Sequence, residues 1–307
     1  MIVKPLQQPH ELLLLRILKK RLKTFSQEDS YRLQAIEKGY EGELQFQQLA
    51  KSLPNSWLQF YDLLLEKGQS ISQIDSLIFT PHNILLFEIK NYEGDFVLED
   101  NLLLKKHSRE VQNPMTQLTK TSSHLRQFLN DKKLNHQPIS SFVIFINPEF
   151  HLYQADTANS SFVFPTQLKR FMATLQKPAT KISSAFLQIS DVLLSQHLQI
   201  NPFTRLPKFT EPELQKGIYC FYCGSSILKF SYNQINCENC TKDEHLDLAI
   251  YRTIEEYRTL FPAEKITTIK MSKWLNNASI SDRTIRRILL KFYHQLGQGR
   301  NSYYVKE

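Results

Sequence analysis

Residues 73–90, Gln-Ile-Asp-Ser-Leu-Ile-Phe-Thr-Pro-His-Asn-Ile-Leu-Leu-Phe-Glu-Ile-Lys, constrain this chain more than any other stretch. Two runs rich in strand-forming residues flank the turn cluster Thr80-Pro81-His82-Asn83, which predicts a β-hairpin. With Pro81 and His82 at the tip, Phe79 pairs with Ile84 and Leu77 with Leu86. Asp75 then stands opposite Glu88, and Gln73 opposite Lys90. Side chains return to the same face every second position, so these four share one face at the open end. Like charges directly opposed at about 5 Å destabilise a sheet. A cation between the carboxylates removes that penalty, whereas a solvated sheet edge tolerates it. Both readings stay open at this point.

A chain of 307 residues has room for more than one domain. Its longest aliphatic run, Leu12–Leu15, meets Arg16 at once, far short of the roughly 20 apolar residues that span a bilayer. Glu11 and the basic Lys19-Lys20-Arg21 cluster, with no small-residue cleavage site, argue against a secretory signal. Together these features predict a cytoplasmic protein without a membrane partner. The net charge of +8 fits an anionic partner without identifying one. No stretch marks an oligomer surface.

Leu12, Leu15, Leu18 and Leu22 recur at helical spacing, predicting an amphipathic arm packed on the main domain. A second helix is expected from Gly39-Tyr40-Glu41-Gly42-Glu43 to about Leu53, ended by Pro54 and Asn55. Glu43 shares a stripe with Phe46 and Ala50, as a helix-dipole charge or as a site residue. A strand over Trp57–Leu65 precedes the hairpin, and a further hairpin is expected around 94–104. Asn113-Pro114 opens a helix that carries Gln117, Lys120 and His124 along one face. The apolar run Ser141–Ile146 reads as a central strand. Pro202, Pro207 and Pro212 mark a connector.

All four cysteines fall in two Cys-x-x-Cys pairs, Cys220/Cys223 and Cys237/Cys240, joined by a hairpin-like stretch. Four thiolates so spaced satisfy tetrahedral Zn²⁺ with no open position, which predicts a structural zinc ribbon in a reducing compartment. Beyond it come helices over 246–260, 271–276 and 281–293, then a turn and a closing strand, the order of a winged helix. Between Lys265 and Lys306 there are nine Lys/Arg and one acidic residue. Arg283, Arg286, Arg287 and Lys291 on the third helix, with Arg300 on a wing, are therefore candidate DNA contacts. A helical domain for protein contacts, with a solvated basic face, is the alternative.

With these pieces in place, residues 31–175 resemble the nuclease-related domain family, NERD, of the restriction-endonuclease-like PD-(D/E)xK superfamily. The resemblance rests on Gly39-x-x-Gly42-Glu43, Ile74-Asp75, Glu88-Ile89-Lys90-Asn91 with Gly94 beyond, and Asn113-Pro114-x-x-Gln117. Each motif is short; their order and spacing carry the match. Ile74 stands where the superfamily's name has proline. The Gly217-Ile218-Tyr219-Cys220 junction with a ribbon after it is similar to bacterial members.

The resemblance implies an α/β fold, a restriction-endonuclease-like mixed sheet flanked by helices, accompanied by the ribbon and the winged-helix-like domain. It divides the chain into an arm (1–30), the nuclease-like domain (31–175), a helix and linker (176–216), the ribbon (217–241) and a winged-helix-like domain (242–307). It implies a Mg²⁺- or Mn²⁺-dependent deoxyribonuclease, an endonuclease, with DNA as partner and RNA as the rival substrate. Asp75, Glu88 and the Ile89 carbonyl would hold the catalytic cation, and Lys90 would orient water or stabilise developing charge. Glu43 would complete the outer shell and Gln117 would steady the site. A DNA-binding or scaffold protein that no longer cuts is the alternative reading.

Overall fold

The computed structural model of the protein describes residues 1–68, 70–99, 102–106, 110–134, 138–154, 161–176 and 182–306, without the side chain of Arg300. The chain forms two compact units. The first comprises residues 1–10 and 34–204, the second residues 11–33 and 205–307. In chain order, β1 (Ile2–Lys4), α1 (His10–Arg21) and α2 (Gln27–Ala50) lead into β2 (Leu58–Lys67), β3 (Ser70–Phe79) and β4 (Ile84–Lys90). Then come β5 (Gly94–Glu99), β6 (Leu102–Lys105), β7 (Glu110–Val111), α3 (Pro114–Asp131) and β8 (Ile139–Phe145). β9 (Phe150–Tyr153), β10 (Phe162–Val163), α4 (Leu168–Leu175) and α5 (Ser184–Gln196) complete the first unit.

The first unit is built on a six-stranded mixed sheet, ordered β1-β2-β3-β4-β8-β10. β2, β3 and β4 are antiparallel, while β4, β8 and β10 run parallel. The hairpin has its expected register, with Phe79 on Ile84 and Leu77 on Leu86. β8 lies between β4 and β10, as its unbroken apolar run requires. A smaller sheet, β7-β6-β5-β9, holds the second predicted hairpin. One sheet face packs Leu118, Leu125 and Leu129 of α3 and Phe186, Ile189 and Leu193 of α5 over Ile84 and Leu86. The other packs Phe46 and Ala50 of α2 and Leu168 and Met172 of α4 over Leu85 and Phe87. Glu88 follows Ile84 and Leu86 by the strand period, which puts it on the α3 face.

Two elements depart from the sequence pattern. The helix expected to begin at Gly39 begins twelve residues earlier, at Gln27, and passes through Gly39 and Gly42. Glycine inside a helix costs about 1 kcal/mol relative to alanine, so it signals a boundary only where packing does not require it. At Gly42 packing does require it: a Cβ there would lie 2.7 Å from Asn91 Cβ. The strand Ile2–Lys4 has no equivalent in the sequence pattern; it adds to the sheet edge by pairing parallel with β2.

The second unit holds α1 together with β11 (Leu228–Phe230), β12 (Gln234–Cys237), β13 (Asp243–His245), α6 (Leu246–Leu260), α7 (Thr268–Leu275), α8 (Asp282–Phe292), β14 (His294–Leu296) and β15 (Tyr303–Val305). Leu14, Ile17 and Leu18 of α1 share one core with Ile250, Ile254 and Tyr257 of α6, Trp274 of α7 and Ile285, Ile288 and Leu289 of α8. The leucine-rich segment is thus a core helix of this unit. Arg21, at its end and fully buried, pairs with Glu256 and lies 4.3 Å from the Trp274 ring. Ile266 bridges to Tyr304, and β14 pairs with β15. Helix, strand, two helices and a hairpin is the winged-helix order, and Ser281 caps α8 as expected through its hydroxyl to Thr284 N–H.

Candidate active site and metal centre

The hairpin ladder ends one pair short of the charged residues. Its last pair is Ser76 with Phe87. Beyond it, Asp75 takes up the freed β4 backbone: the Ile89 N–H donates to the Asp75 carboxylate at 2.7 Å. Both carboxylates lie just beyond the end of this ladder and stay buried, Asp75 at 8% and Glu88 at 1% exposure. Lys90 Nζ lies 2.6 Å from Glu88 Oε1, an ion-pair distance. The same Nζ donates to Gln117 Oε1 at 3.0 Å. Asn113 fixes Gln117 by capping α3, accepting from Met115 N–H at 2.9 Å.

Glu43 reaches this cluster from α2. Tight packing at Gly42 holds the helix close, and Asn91 ties it down by donating to the Lys38 carbonyl and accepting from Asn147. Burial, with Asp75, Asp62 and Glu88 nearby, pushes the Glu43 carboxyl up to about 9. Burial and Asp75 push Glu88 up to about 8, and burial raises Asp75 as well. Burial pulls Lys90 down, but Glu88 and Asp75 more than offset it, so the lysine stays a cation. Glu88 Oε1 is taken by Lys90, while Glu88 Oε2 and Glu43 Oε2 are buried without a hydrogen-bond partner. Such oxygens are what a small hard cation takes up, so the residues present fit Mg²⁺ or Mn²⁺.

Two residues of this cluster escaped the sequence reading. Asp62 on β2 stands level with Asp75, between the pairs Tyr61–Ser76 and Leu63–Ile74, and adopts a left-handed φ of 53°. A non-glycine residue there is strained, and strain of this kind gathers at functional sites. It also shifts the alternation: Leu58 and Phe60 before it, and Leu63 and Leu65 after it, face the same core. Gln73, expected opposite Lys90, instead donates to Asp62 at 2.9 Å. Lys4 on β1 is buried and donates to the Tyr61 carbonyl at 2.8 Å. Burial lowers its pKa, and the charges of Asp62 and Glu43 resist that shift. The one available signal was Asp62 itself, the only charge within 58–65.

In the second unit the four cysteines converge, all Sγ atoms lying within 4.8 Å of one another. Cys220 to Cys240 and Cys223 to Cys237 are both 3.6 Å apart. A tetrahedral site with Zn–S of about 2.3 Å has S···S edges of about 3.8 Å, so the quartet fits Zn²⁺. All four are free thiols. Among the described residues this is the only group of three or more potential ligands that converges so tightly.

Of the basic candidates, Arg283, Arg286, Arg287 and Lys291 line the exposed side of α8. Arg287 is committed to Asp247 by a fork at 2.8 and 2.6 Å, and Lys291 lies 5.2 Å from the Phe292 ring. Arg300 falls in the turn before β15, with its side chain outside the described residues. No helix among the described residues is long and apolar enough to cross a membrane.

No curated protein and no solved structure gives a significant match to the chain. A family model described as "Nuclease-related domain" matches residues 38–146, about a third of the chain. That span takes in Glu43, Asp62, Asp75, Glu88, Lys90 and Gln117, the whole carboxylate–lysine cluster apart from Lys4. Residues 38–146 of this chain are a nuclease-related domain.

Proposed function

We propose that the protein is a divalent-metal-dependent deoxyribonuclease, an endonuclease, that hydrolyses phosphodiester bonds at the Glu43–Asp75–Glu88–Lys90–Gln117 cluster. The carrying observation is Lys90, held between Glu88 Oε1 and Gln117 beside Glu88 Oε2 and Glu43 Oε2, buried oxygens without a hydrogen-bond partner. Asp75, Glu88 and the Ile89 carbonyl would hold Mg²⁺ or Mn²⁺, with Glu43 in the outer shell. A cation bound there supplies Lewis acidity toward a phosphoryl oxygen and a more acidic water. Lys90 carries a fixed positive charge to the position where the pentacoordinate phosphorus gathers negative charge. Gln117 spends its carbonyl on Lys90 Nζ and so fixes the direction of that charge. Asp75, by holding the Ile89 N–H, keeps the end of β4 at a set distance from β3.

The nucleic acid would approach along the exposed face of α3, where Lys120 and His124 continue the line of Gln117 and border a groove. The zinc ribbon and the basic face of α8 would supply targeting, with the Zn²⁺ structural. The chemistry of four reduced thiols fits a cytoplasmic setting.

Purified protein is to be assayed with Mg²⁺ or Mn²⁺ on linear, supercoiled, single-stranded and branched DNA and on RNA. Asp75→Ala, Glu88→Ala and Lys90→Ala variants run alongside. Loss of cutting in all three supports the assignment, and full-rate cutting by all three refutes it. Tight DNA binding with no cutting of any substrate would establish the scaffold reading instead.

A further inference from the structure

The second unit contains a cavity of about 720 Å³ that the nuclease reading leaves unused. The tip of the zinc-ribbon hairpin lines it with Phe230 and Tyr232. The first turns of α8 line it with Thr284 and Arg287, and His245 and Asp247 complete the lining at the start of α6. Tyr232 is 93% exposed, an aromatic ring held in water by a tight turn in which Ser231 donates to the Gln234 carbonyl. A ring in that position buries nothing within the fold, so its burial value is available to a ligand. Arg287 and Asp247, both in the same lining, hold each other in a fork. Arg283 and Arg286 are exposed on the same helix as Arg287.

An exposed ring at the mouth of a polar cavity that Arg287 also lines, beneath a helix whose exposed side carries Arg283 and Arg286, matches a flat base joined to phosphates better than it matches an apolar peptide. The volume is within the range of small-ligand sites and admits a nucleotide.

We propose that this cavity takes an unpaired nucleotide of a DNA strand, its base stacked on Tyr232 and its phosphate met by Arg283, one turn from the cavity-lining Arg287 on the same side of α8. The ribbon and the winged helix then read one ligand together, and the preferred DNA has a single-stranded portion beside a duplex. This rests on the nucleic-acid part of the reading above but is independent of whether the first unit cuts.

Fluorescence anisotropy of the full-length, zinc-loaded protein, with no other divalent cation added, tests the idea on a labelled DNA hairpin, blunt or with a short single-stranded extension. The extended hairpin is expected to bind about tenfold more tightly, the worth of one stacked base. Tyr232→Ala should erase that preference and leave blunt-hairpin affinity unchanged, while Tyr232→Phe should retain it. Equal affinity for the two hairpins in the wild type overturns the proposal. So does a preference that survives Tyr232→Ala, or an equal loss on both hairpins. A protein ligand for the ribbon tip would appear as the first of these outcomes. Because no cutting occurs in this assay, its failure is separate from the result of the Glu88→Ala cleavage test; absence of all DNA binding would count against both.

Discussion

Cation binding to the carboxylate cluster should release protons at neutral pH, and their number can be worked from the site. Glu88 is held up at about 8 by burial and Asp75, and Glu43 at about 9 by burial and its acidic neighbours. At pH 7 the first is about 90% protonated and the second almost fully so. Divalent cations bind the ionised carboxylates, so a cation that takes Glu88 displaces close to one proton and one that also ionises Glu43 close to two, with Asp75, raised by burial as well, adding to either count. Lys90 stays charged throughout and contributes none. Apparent affinity should therefore rise with pH, by about tenfold per unit for each proton released, and level off above about pH 8 for Glu88. Titration calorimetry with Mn²⁺ at pH 7, in buffers of differing ionisation enthalpy, gives the proton count from the slope of observed heat against buffer enthalpy. Glu43→Gln assigns the second proton. A slope of zero at pH 7, or affinity that falls as pH rises, would refute the reasoning.

Stability of the metal-free protein follows the same groups. Between pH 5 and 8 native Glu88 keeps a proton that the unfolded chain has lost, so stability falls as pH rises; Glu88→Gln should stabilise the apo protein at pH 8 by about 1–3 kcal/mol in denaturant melts. Gly42→Ala should cost about 1–3 kcal/mol because its Cβ meets Asn91 at 2.7 Å, whereas Gly39→Ala, with nothing within 4 Å, should stabilise α2 by up to about 1 kcal/mol. Equal effects of the two substitutions would contradict the packing argument. Elemental analysis should find about one zinc per chain, lost in a Cys220→Ser/Cys237→Ser variant together with a lower melting temperature. Arg283→Ala/Arg286→Ala should weaken DNA binding and flatten its salt dependence, and Arg287→Ala, whose charge is already spent on Asp247, should do so much less.

What could be read from the sequence was what repeats locally. The hairpin register followed from alternation and a turn, the ribbon from cysteine spacing, and the winged helix from a cap at Ser281 and an apolar stripe over Ile285, Ile288 and Leu289. The meeting of Glu43 and Gln117 with the hairpin was reachable only through the family resemblance, since no spacing rule joins helix residues to a distant strand end. What stayed hidden depends on partners far away in the chain. Lys4 reaches the cluster across 57 residues, through the Tyr61 carbonyl. Asp62 breaks the strand period by a backbone conformation that composition does not encode. Asp247 claims Arg287 across 40 residues. The Ile89 N–H bond to Asp75, just past the last ladder pair, could not be read from alternation either.

The membership of α1 in the second unit also bears on how the chain is made. Synthesis delivers Leu14, Ile17 and Leu18 at the outset, but their companions on α6, α7 and α8 more than 200 residues later. At the usual 5–20 residues per second, that helix waits roughly 10–50 s with its apolar side uncovered, while β2, β3 and β4 can already pair. The first unit can thus mature on the ribosome before residues 11–33 find their partners beyond residue 205. Truncation before residue 205 would leave those leucines without their core, so the nuclease-related domain is best isolated by starting after residue 33 and supplying the β1 segment separately.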